Sequence, residues 1–316
     1  MAIIDTYAPD ISPNDSETQV LLKRYESAKH IKDQWKGTFE ECYEYALPQK
    51  ESFYDETQAR RRTDRIFDET AVVGVQEFAS RLQSGIVPNY ARWAEFRSGT
   101  EIPAEDRKKV DVLLDEVTEF VFELLQNSNF AQEIHESFLD IALGTGVLLV
   151  EEGDAVNPII FKSIPLPQVY LTSGYDDKVD HVFRERQIRA KEMLIAYPDG
   201  VLTEEMKTDM RENPEKMCEI LEVLYKNHEN KKDDEYHYCA ISLEHEHKIY
   251  EEVYKGLGAN PFIVYRWSKC SGETYGRGPL MNALPAIKTS NLVMELILEN
   301  AQMSISGMYQ VEDDGV

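Results

Sequence analysis

The first 145 residues carry the three- and four-residue hydrophobic spacing of amphipathic helices. Leu21, Tyr25 and Ala28 belong to the longest of these patterns. Pro48 ends that pattern, because the residue before a proline disfavours helical geometry. Asn129 stands where it can cap the fourth pattern. The spacing predicts helices over residues 16–46, 68–84, 105–126 and 130–143.

The pattern changes at Gly144-Thr145-Gly146, after which short apolar runs predict strands with tight connections. In residues 180–188, Val182 and Arg184 alternate with Phe183 and Glu185, which is typical of a half-buried strand. Strands are predicted over residues 147–150, 158–164, 169–171, 180–188, 220–226, 236–243, 248–254 and 262–267, with a short helical stretch within 190–217. A last helix over 278–304 would be about 39 Å long. The predicted fold class is therefore α+β.

The final residues predict the start of a hairpin. Met308 to Val311 is a strand candidate, and Asp313-Asp314-Gly315 is a turn signal that commonly joins two strands. The second strand of such a hairpin would lie beyond the last residue, so we expect the chain to be part of a longer protein.

Composition narrows the class of protein. The 316 residues include 34 Lys and Arg against 58 Asp and Glu, a formal charge of −24. Such a chain lacks the dense basic surface of a groove-filling DNA-binding protein. Hydrophobic residues make up 42%, which is enough for a sizeable core. No apolar run is long enough for a membrane span, and residues 1–19 do not predict a secretory signal.

The cysteines and histidines are the candidate metal ligands of this chain. Cys42, Cys218, Cys239 and Cys270 lie far apart, which favours scattered thiols in a reducing compartment over a disulfide framework or a zinc knuckle. Four histidines lie near Cys239, namely His228, His237, His245 and His247. If His245 and His247 lie on one strand, they point to the same face and could share a metal. An exposed acidic hairpin accounts for the segment without any metal, and we expect neither metal nor cofactor.

A nuclease pattern is also present. Asp199 after Pro198, followed by Glu205 and Lys207, mimics the carboxylate and lysine order of metal-dependent nucleases. Such a site needs its carboxylates on adjacent strands that converge on Mg²⁺. The intervening residues predict a turn that enters a helix, so chance is the favoured explanation.

The remaining motifs predict no catalytic site. The paired glycines at 144 and 146, 256 and 258, and 276 and 278 lack the context of a dinucleotide site and predict tight turns. The basic run Arg60-Arg61-Arg62, with Arg65 beside it, could contact phosphate or an acidic neighbouring chain.

Six segments occur in an order that resembles the head-to-tail connector, or portal, proteins of short-tailed bacteriophages. They are IFDETAVVGVQEFASRL, LQSGIVPNYARWAEF, FLDIALGTGVLLVEE, IPLPQVYL, DHVFRERQI and the long block from Asn260 to Ala301. The last block is the most specific, and the resemblance runs from about residue 20 to the end. The residues that carry the family signature are Arg65, Phe67, Trp93, Gly144, Gly146, Arg184, Arg266, Trp267, Tyr275, Gly276, Gly278 and Pro279.

The resemblance implies a structural virion protein without enzymatic activity. Portal proteins form a ring, usually dodecameric, at one capsid vertex. Double-stranded DNA passes through the ring without sequence specificity during packaging and ejection. The implied partners are further copies of the chain, the terminase motor, scaffold and major capsid proteins, and tail adaptors. A metal-dependent nucleic-acid enzyme and another head–tail adaptor protein remain as alternatives.

The resemblance also implies an elongated portal-type organisation. Residues 1–16 would be a flexible arm, 17–145 the helical part of a wing, and 146–278 its β-rich part. Residues 279–306 would be a stem helix and 307–316 the start of a clip. Candidate stem or channel residues are Lys288, Asn291, Glu295 and Glu299. Leu284, Ile287, Leu292, Met294, Leu296 and Leu298 give this helix an apolar surface too broad to be solvated, so it has to pack on its own fold or on a neighbouring subunit.

Overall fold

A computed structural model describes residues 16–50, 65–174, 177–227, 234–256 and 258–306. Four sequence predictions lie outside these ranges: the flexible arm up to residue 15, the arginine run at 60–62, His228, and the clip segment 307–316.

Among the described residues up to 141, four helices form, as the hydrophobic spacing predicts. They are α1 (Glu17–Ala46), α2 (Thr70–Ile86), α3 (Ala104–Asn127) and α4 (Phe130–Ile141). Helix α1 begins with a capping box, in which the Ser16 side chain accepts from the Gln19 amide and the Gln19 side chain accepts from the Ser16 amide.

In the ranges that the structure describes, eight antiparallel strands form two sheets. The strands are β1 (Thr145–Glu152), β2 (Ile159–Ser163), β3 (Val169–Ser173), β4 (Val179–Arg189), β5 (Met217–Lys226), β6 (Glu235–Ser242), β7 (His247–Lys255) and β8 (Phe262–Arg266). The smaller sheet has the order β2-β1-β8, and the larger sheet is a meander with the order β3-β4-β5-β6-β7. Two short helices, α5 (Met193–Ala196) and α6 (Glu204–Glu212), connect β4 to β5.

Helix α1 joins the large sheet to the rest of the core. Leu21 and Tyr25, in its first half, pack on Phe183 and Leu221 of the sheet. Phe39, in its second half, belongs to the main core with α2, α4 and the small sheet. Helices α5 and α6 cover the opposite face of the large sheet. The large sheet is therefore covered on both faces, which is why its central strand β5 is apolar on both sides.

The last helix, α7 (Pro279–Ser306), has 28 residues and extends for about 42 Å. Its buried residues are Leu280, Leu284 and Asn291, and all three lie in the first half. The helix continues through Pro285, which lacks the amide needed for one intrahelical hydrogen bond.

The structure confirms the α+β class and the long C-terminal helix. The prediction for Asn129 is wrong: it stands at the start of α4 but makes no side-chain cap. Its amide group instead bonds both backbone groups of Phe161, at 2.7 and 2.9 Å. Because β2 is an edge strand, its free backbone groups compete for this side chain. Among the described residues, no helix has the length and hydropathy needed to span a membrane.

Candidate functional site

Two loops cross at the base of α7 with their backbones in direct contact. One is the turn between α4 and β1, and the other is the segment that leads from Tyr275 into α7. The Gly278 amide donates to the Leu143 carbonyl at 2.7 Å, and the Leu280 amide donates to the Ala142 carbonyl at 3.0 Å. The first turn of α7 is thus held by the end of α4 through main-chain bonds.

Glycine is required at this crossing because no side chain fits between the two backbones. A Cβ atom on Gly144 would lie 2.1 Å from the Gly276 carbonyl oxygen, and one on Gly276 would lie 2.2 Å from the Gly144 oxygen. A Cβ atom on Gly278 would lie 2.1 Å from the Ala142 oxygen. Gly144 also has φ of 139°, which L side chains rarely adopt. The signature residues Gly144, Gly276 and Gly278 therefore allow the backbones of the two loops to approach each other closely. We call this place the glycine crossing.

Further signature residues surround the glycine crossing. The Trp267 amide donates to the Gly144 carbonyl at 2.9 Å, and the Trp267 ring meets Phe78 of α2 edge to face at 5.3 Å. The Arg266 guanidinium donates to the carbonyls of Thr274 at 3.2 Å and Asp177 at 2.9 Å. These contacts fasten the loop before α7 to the end of the small sheet.

Position 146 also requires a glycine, because a larger residue would collide with a neighbouring side chain. A Cβ atom there would lie 2.7 Å from the Tyr265 ring. The Tyr265 hydroxyl bonds Ser137 of α4. Gly146 thus lets α4 and β8 approach each other beside the glycine crossing.

Tyr275 fills the space beneath the crossing and is fully buried. Its hydroxyl accepts a hydrogen bond from the Leu171 amide at 3.2 Å, and its ring meets Phe39 of α1 edge to face at 5.6 Å. Burial raises the pKa of this hydroxyl above its usual value, so the side chain stays neutral. Tyr275 therefore connects the base of α7 to α1 and to the large sheet.

A buried ion pair lies next to the turn between α4 and β1. Lys50 donates to Asp140 at 3.0 Å, and the Tyr43 hydroxyl donates to the other oxygen of that carboxylate. Burial lowers the pKa of Lys50, but Asp140 and Glu136 raise it further, so the ammonium stays charged. The Asp140 carbonyl accepts from the Gly144 amide at 3.3 Å, which places the ion pair directly under the turn.

Sequence reasoning missed this ion pair. Lys50 follows a proline in a polar stretch, and nothing in that stretch predicts burial. The one available signal was Asp140 itself, a lone charge within the apolar run FLDIAL. A charge on an apolar helix face indicates a buried partner elsewhere in the chain.

A second anchor lies farther along α7. The Asn291 side chain accepts from the amides of Phe67 at 2.7 Å and Asp68 at 3.2 Å, and donates to the Arg65 carbonyl at 2.9 Å. Lys288, one turn earlier, donates to Glu41 of α1 at 2.9 Å. The signature residues Arg65 and Phe67 are thus brought to α7, and Asn291 and Lys288 bind the chain's own fold.

Two other signature residues lie away from α7. Trp93 packs against Phe122 and Phe130, with ring centroids 5.4 and 6.3 Å away. Arg184 pairs with the buried Glu222 at 3.2 Å inside the large sheet. Both stabilise their local packing and do not contribute to the base of α7.

Beyond Asn291, no described residue of α7 is buried. Of the predicted apolar surface, Leu284 is buried and Ile287 is partly buried on the chain's own fold. Glu295 is half-buried and Glu299 is exposed. The exposed apolar residues of this distal half are Leu292, Val293, Met294, Leu296, Ile297, Leu298, Met303 and Ile305.

The nuclease-like pattern does not form a site, as expected from the sequence. Asp199 lies in a turn, whereas Glu205 and Lys207 lie on α6, so these carboxylates do not sit on adjacent strands. Lys207 pairs with Glu204 at 2.7 Å. The prediction that a turn enters a helix here is confirmed.

The condition for a face shared by two histidines is not met. His245 lies in the turn of residues 243–246, and only His247 lies on β7. The chain reverses direction before the second histidine, so the two-residue spacing does not place both on one strand. His247 approaches the Val201 carbonyl at 3.0 Å, and His237 approaches Glu235 at 3.0 Å.

His245 instead lies beside its chain neighbour Glu244 and beside Asp209 of α6. Its ligand atom and those of Asp209 and Glu244 lie within 4.8 Å of one another. The Lys216 ammonium bonds both carboxylates, at 2.7 and 2.8 Å. The Lys216 ammonium therefore already balances part of the charge that a cation would meet here.

The chain is similar to known phage proteins over most of its length. Residues 18–316 match the family model described as bacteriophage head to tail connecting protein. A protein of Bordetella phage BPP-1 named "Probable portal protein" is 23% identical over 287 residues. That alignment covers 86% of this chain and 50% of the relative, so the chain spans about half the length of the curated protein it matches.

Proposed function

Because the chain belongs to the family of bacteriophage head to tail connecting proteins, which are structural proteins of the virion, we propose that it assembles into a closed portal ring at one capsid vertex. We further propose a dodecameric ring whose channel passes double-stranded DNA during packaging and ejection. The proposed partners are the terminase motor, scaffold and major capsid proteins, and tail adaptors.

The distal half of α7 is the observation that carries this proposal. At about 100° per residue, Leu292, Leu296 and Met303 lie within roughly 40° of one another and form one apolar flank. Met294 and Leu298 lie on roughly the opposite side of the helix. A helix with apolar residues on two opposite sides is suited to lie between two neighbours, as each helix of a closed ring does.

The four candidate stem residues follow one side of α7. Lys288 and Asn291 fasten the helix to its own fold, and Glu295 and Glu299 continue along the same side beyond the last buried residue. We propose that all four belong to the stem wall of the ring. A net charge of −24 supports a channel protein that repels the phosphates of passing DNA and does not retain them.

The ring is tested by measuring the mass of the purified chain with size-exclusion chromatography and light scattering, followed by negative-stain imaging. We expect closed rings with a central hole. A chain that stays monomeric at every concentration up to the solubility limit contradicts the proposal. Leu296→Glu should dissociate the ring, whereas Val201→Glu, at another exposed apolar residue in the loop before α6, should leave it intact.

The enzymatic alternative is tested separately with linear DNA and added Mg²⁺ or Mn²⁺. We expect no cleavage. Cleavage that Asp199→Ala abolishes would replace the portal proposal with a metal-dependent nuclease.

A further inference from the structure

An open apolar groove of about 430 Å³ lies between α2 and the first half of α7. Small residues form much of its two walls, with Ala71 and Gly74 on α2 and Ala283 and Ala286 on α7. Phe78 and Ile287 contribute larger apolar side chains to its lining. The part of the chain that the structure describes leaves this volume unfilled, so the groove can accept a large apolar side chain from outside.

The same helix carries large apolar side chains on another side. Leu292, Leu296 and Met303 are 53%, 54% and 56% exposed. Successive residues of an α-helix are rotated by about 100° around its axis. The direction of this flank therefore differs by roughly 160° from the mean direction of the α7 residues that line the groove. In a twelve-membered ring, the directions from one subunit to its two neighbours differ by roughly 150°. The groove and the flank therefore point toward the two neighbours.

We infer that the groove between α2 and α7 accepts Leu292 and Leu296 of a second copy of this chain. This inference rests on the proposed ring. Each copy then presents a recess of small residues on one side and large leucines on the other. A contact between different surfaces of identical copies repeats around a ring until it closes. The base of α7 acquires a second role, because the glycine crossing and the Asn291 anchor set the position of α7 relative to α2 and thus the width of the groove.

Gly74→Leu adds a large apolar side chain to the wall of the groove. A Cβ atom on Gly74 meets nothing within 4 Å, and leucine is the better helix former. Gly85→Leu is the matched control, since Gly85 lies on the same helix, is equally open and does not line the groove. Thermal melts followed by circular dichroism should show that both variants are folded.

We expect Gly74→Leu to weaken self-association on the order of tenfold or more in sedimentation velocity, while Gly85→Leu matches the parent chain. Oligomers that persist unchanged in Gly74→Leu would overturn the groove contact and leave the ring proposal standing.

A cross-linking experiment tests directly whether the groove and the leucine flank of two copies meet. In a Cys270→Ser background, whose other three cysteines are buried, chains with Ala286→Cys are mixed with chains with Leu292→Cys and treated with a flexible bis-maleimide. We expect the mixture to give dimers that contain one chain of each kind. A parent chain that is monomeric, together with no cross-link in the mixture, would overturn both this inference and the ring.

Discussion

Replacing Gly144 by alanine should weaken the bonds that hold the first turn of α7 to the end of α4. The new Cβ atom would lie 2.1 Å from the Gly276 oxygen and 2.7 Å from the Gly278 nitrogen, and both are backbone atoms that cannot rotate away. The loop before α7 has to shift, and with it the bonds from Gly278 to Leu143 and from Leu280 to Ala142.

The expected cost follows from these contacts. Holding a non-glycine residue at φ of 139° costs roughly 1–3 kcal/mol. Losing two backbone hydrogen bonds costs about 1 kcal/mol each. The sum, about 4 kcal/mol, is a large part of the roughly 5–15 kcal/mol that stabilises an ordinary domain.

The control is the same substitution where there is room. A Cβ atom on Gly37, in the middle of α1, meets nothing within 4 Å, so Gly37→Ala should gain about 1 kcal/mol from helix propensity alone. The two substitutions add the same methyl group and are expected to change stability in opposite directions.

Urea unfolding followed by circular dichroism gives both free energies, and hydrogen exchange reports on α7 separately. In Gly144→Ala the amides of Gly278 and Leu280 should exchange faster than in the parent chain, even if the rest of the fold stays intact. The reasoning would be refuted if Gly144→Ala unfolded within about 0.5 kcal/mol of the parent chain and left the exchange of both amides unchanged.

Three further substitutions test other contacts. Asn291→Ala removes three hydrogen bonds from a buried side chain and should cost about 2–4 kcal/mol in urea unfolding; a loss below about 0.5 kcal/mol would show that the anchor is dispensable. Lys50→Met leaves the buried Asp140 carboxylate unpaired and should cost about 3–5 kcal/mol, and adding Asp140→Leu should restore much of the loss. The hydrogen bond from Lys248 lowers the pKa of Glu17 below its ordinary value of 4.5. This hydrogen bond therefore stabilises the fold above about pH 4.5 and is lost as the pH falls through the lowered pKa of Glu17. The parent chain should be more stable than Lys248→Met at about pH 6. This difference in unfolding free energy should shrink as the pH falls toward about 3.

Hydrophobic spacing alone determined the order and type of the elements in this protein. Helix α1 was predicted over 16–46 and is found at Glu17–Ala46, because local periodicity reports directly which face of a helix is buried. The resemblance to the connector family pointed to Gly144, Gly276 and Gly278, but it gave no reason for them. Spacing along the chain predicted only that each would form a tight turn.

The tertiary structure decided which distant residues meet. Gly144 and Gly276 are 132 residues apart in the chain, and their backbones approach closely because two loops cross there. Asn129 bonds a strand edge and does not cap its helix, and Lys50 reaches a carboxylate on α4. Periodicity records the burial of each element but not its partner, since a partner is chosen by packing and by the need to satisfy buried polar groups. For the same reason the sequence showed that α7 is too apolar to be solvated, whereas only the fold showed that its first half packs on the chain's own core and that its second half is exposed.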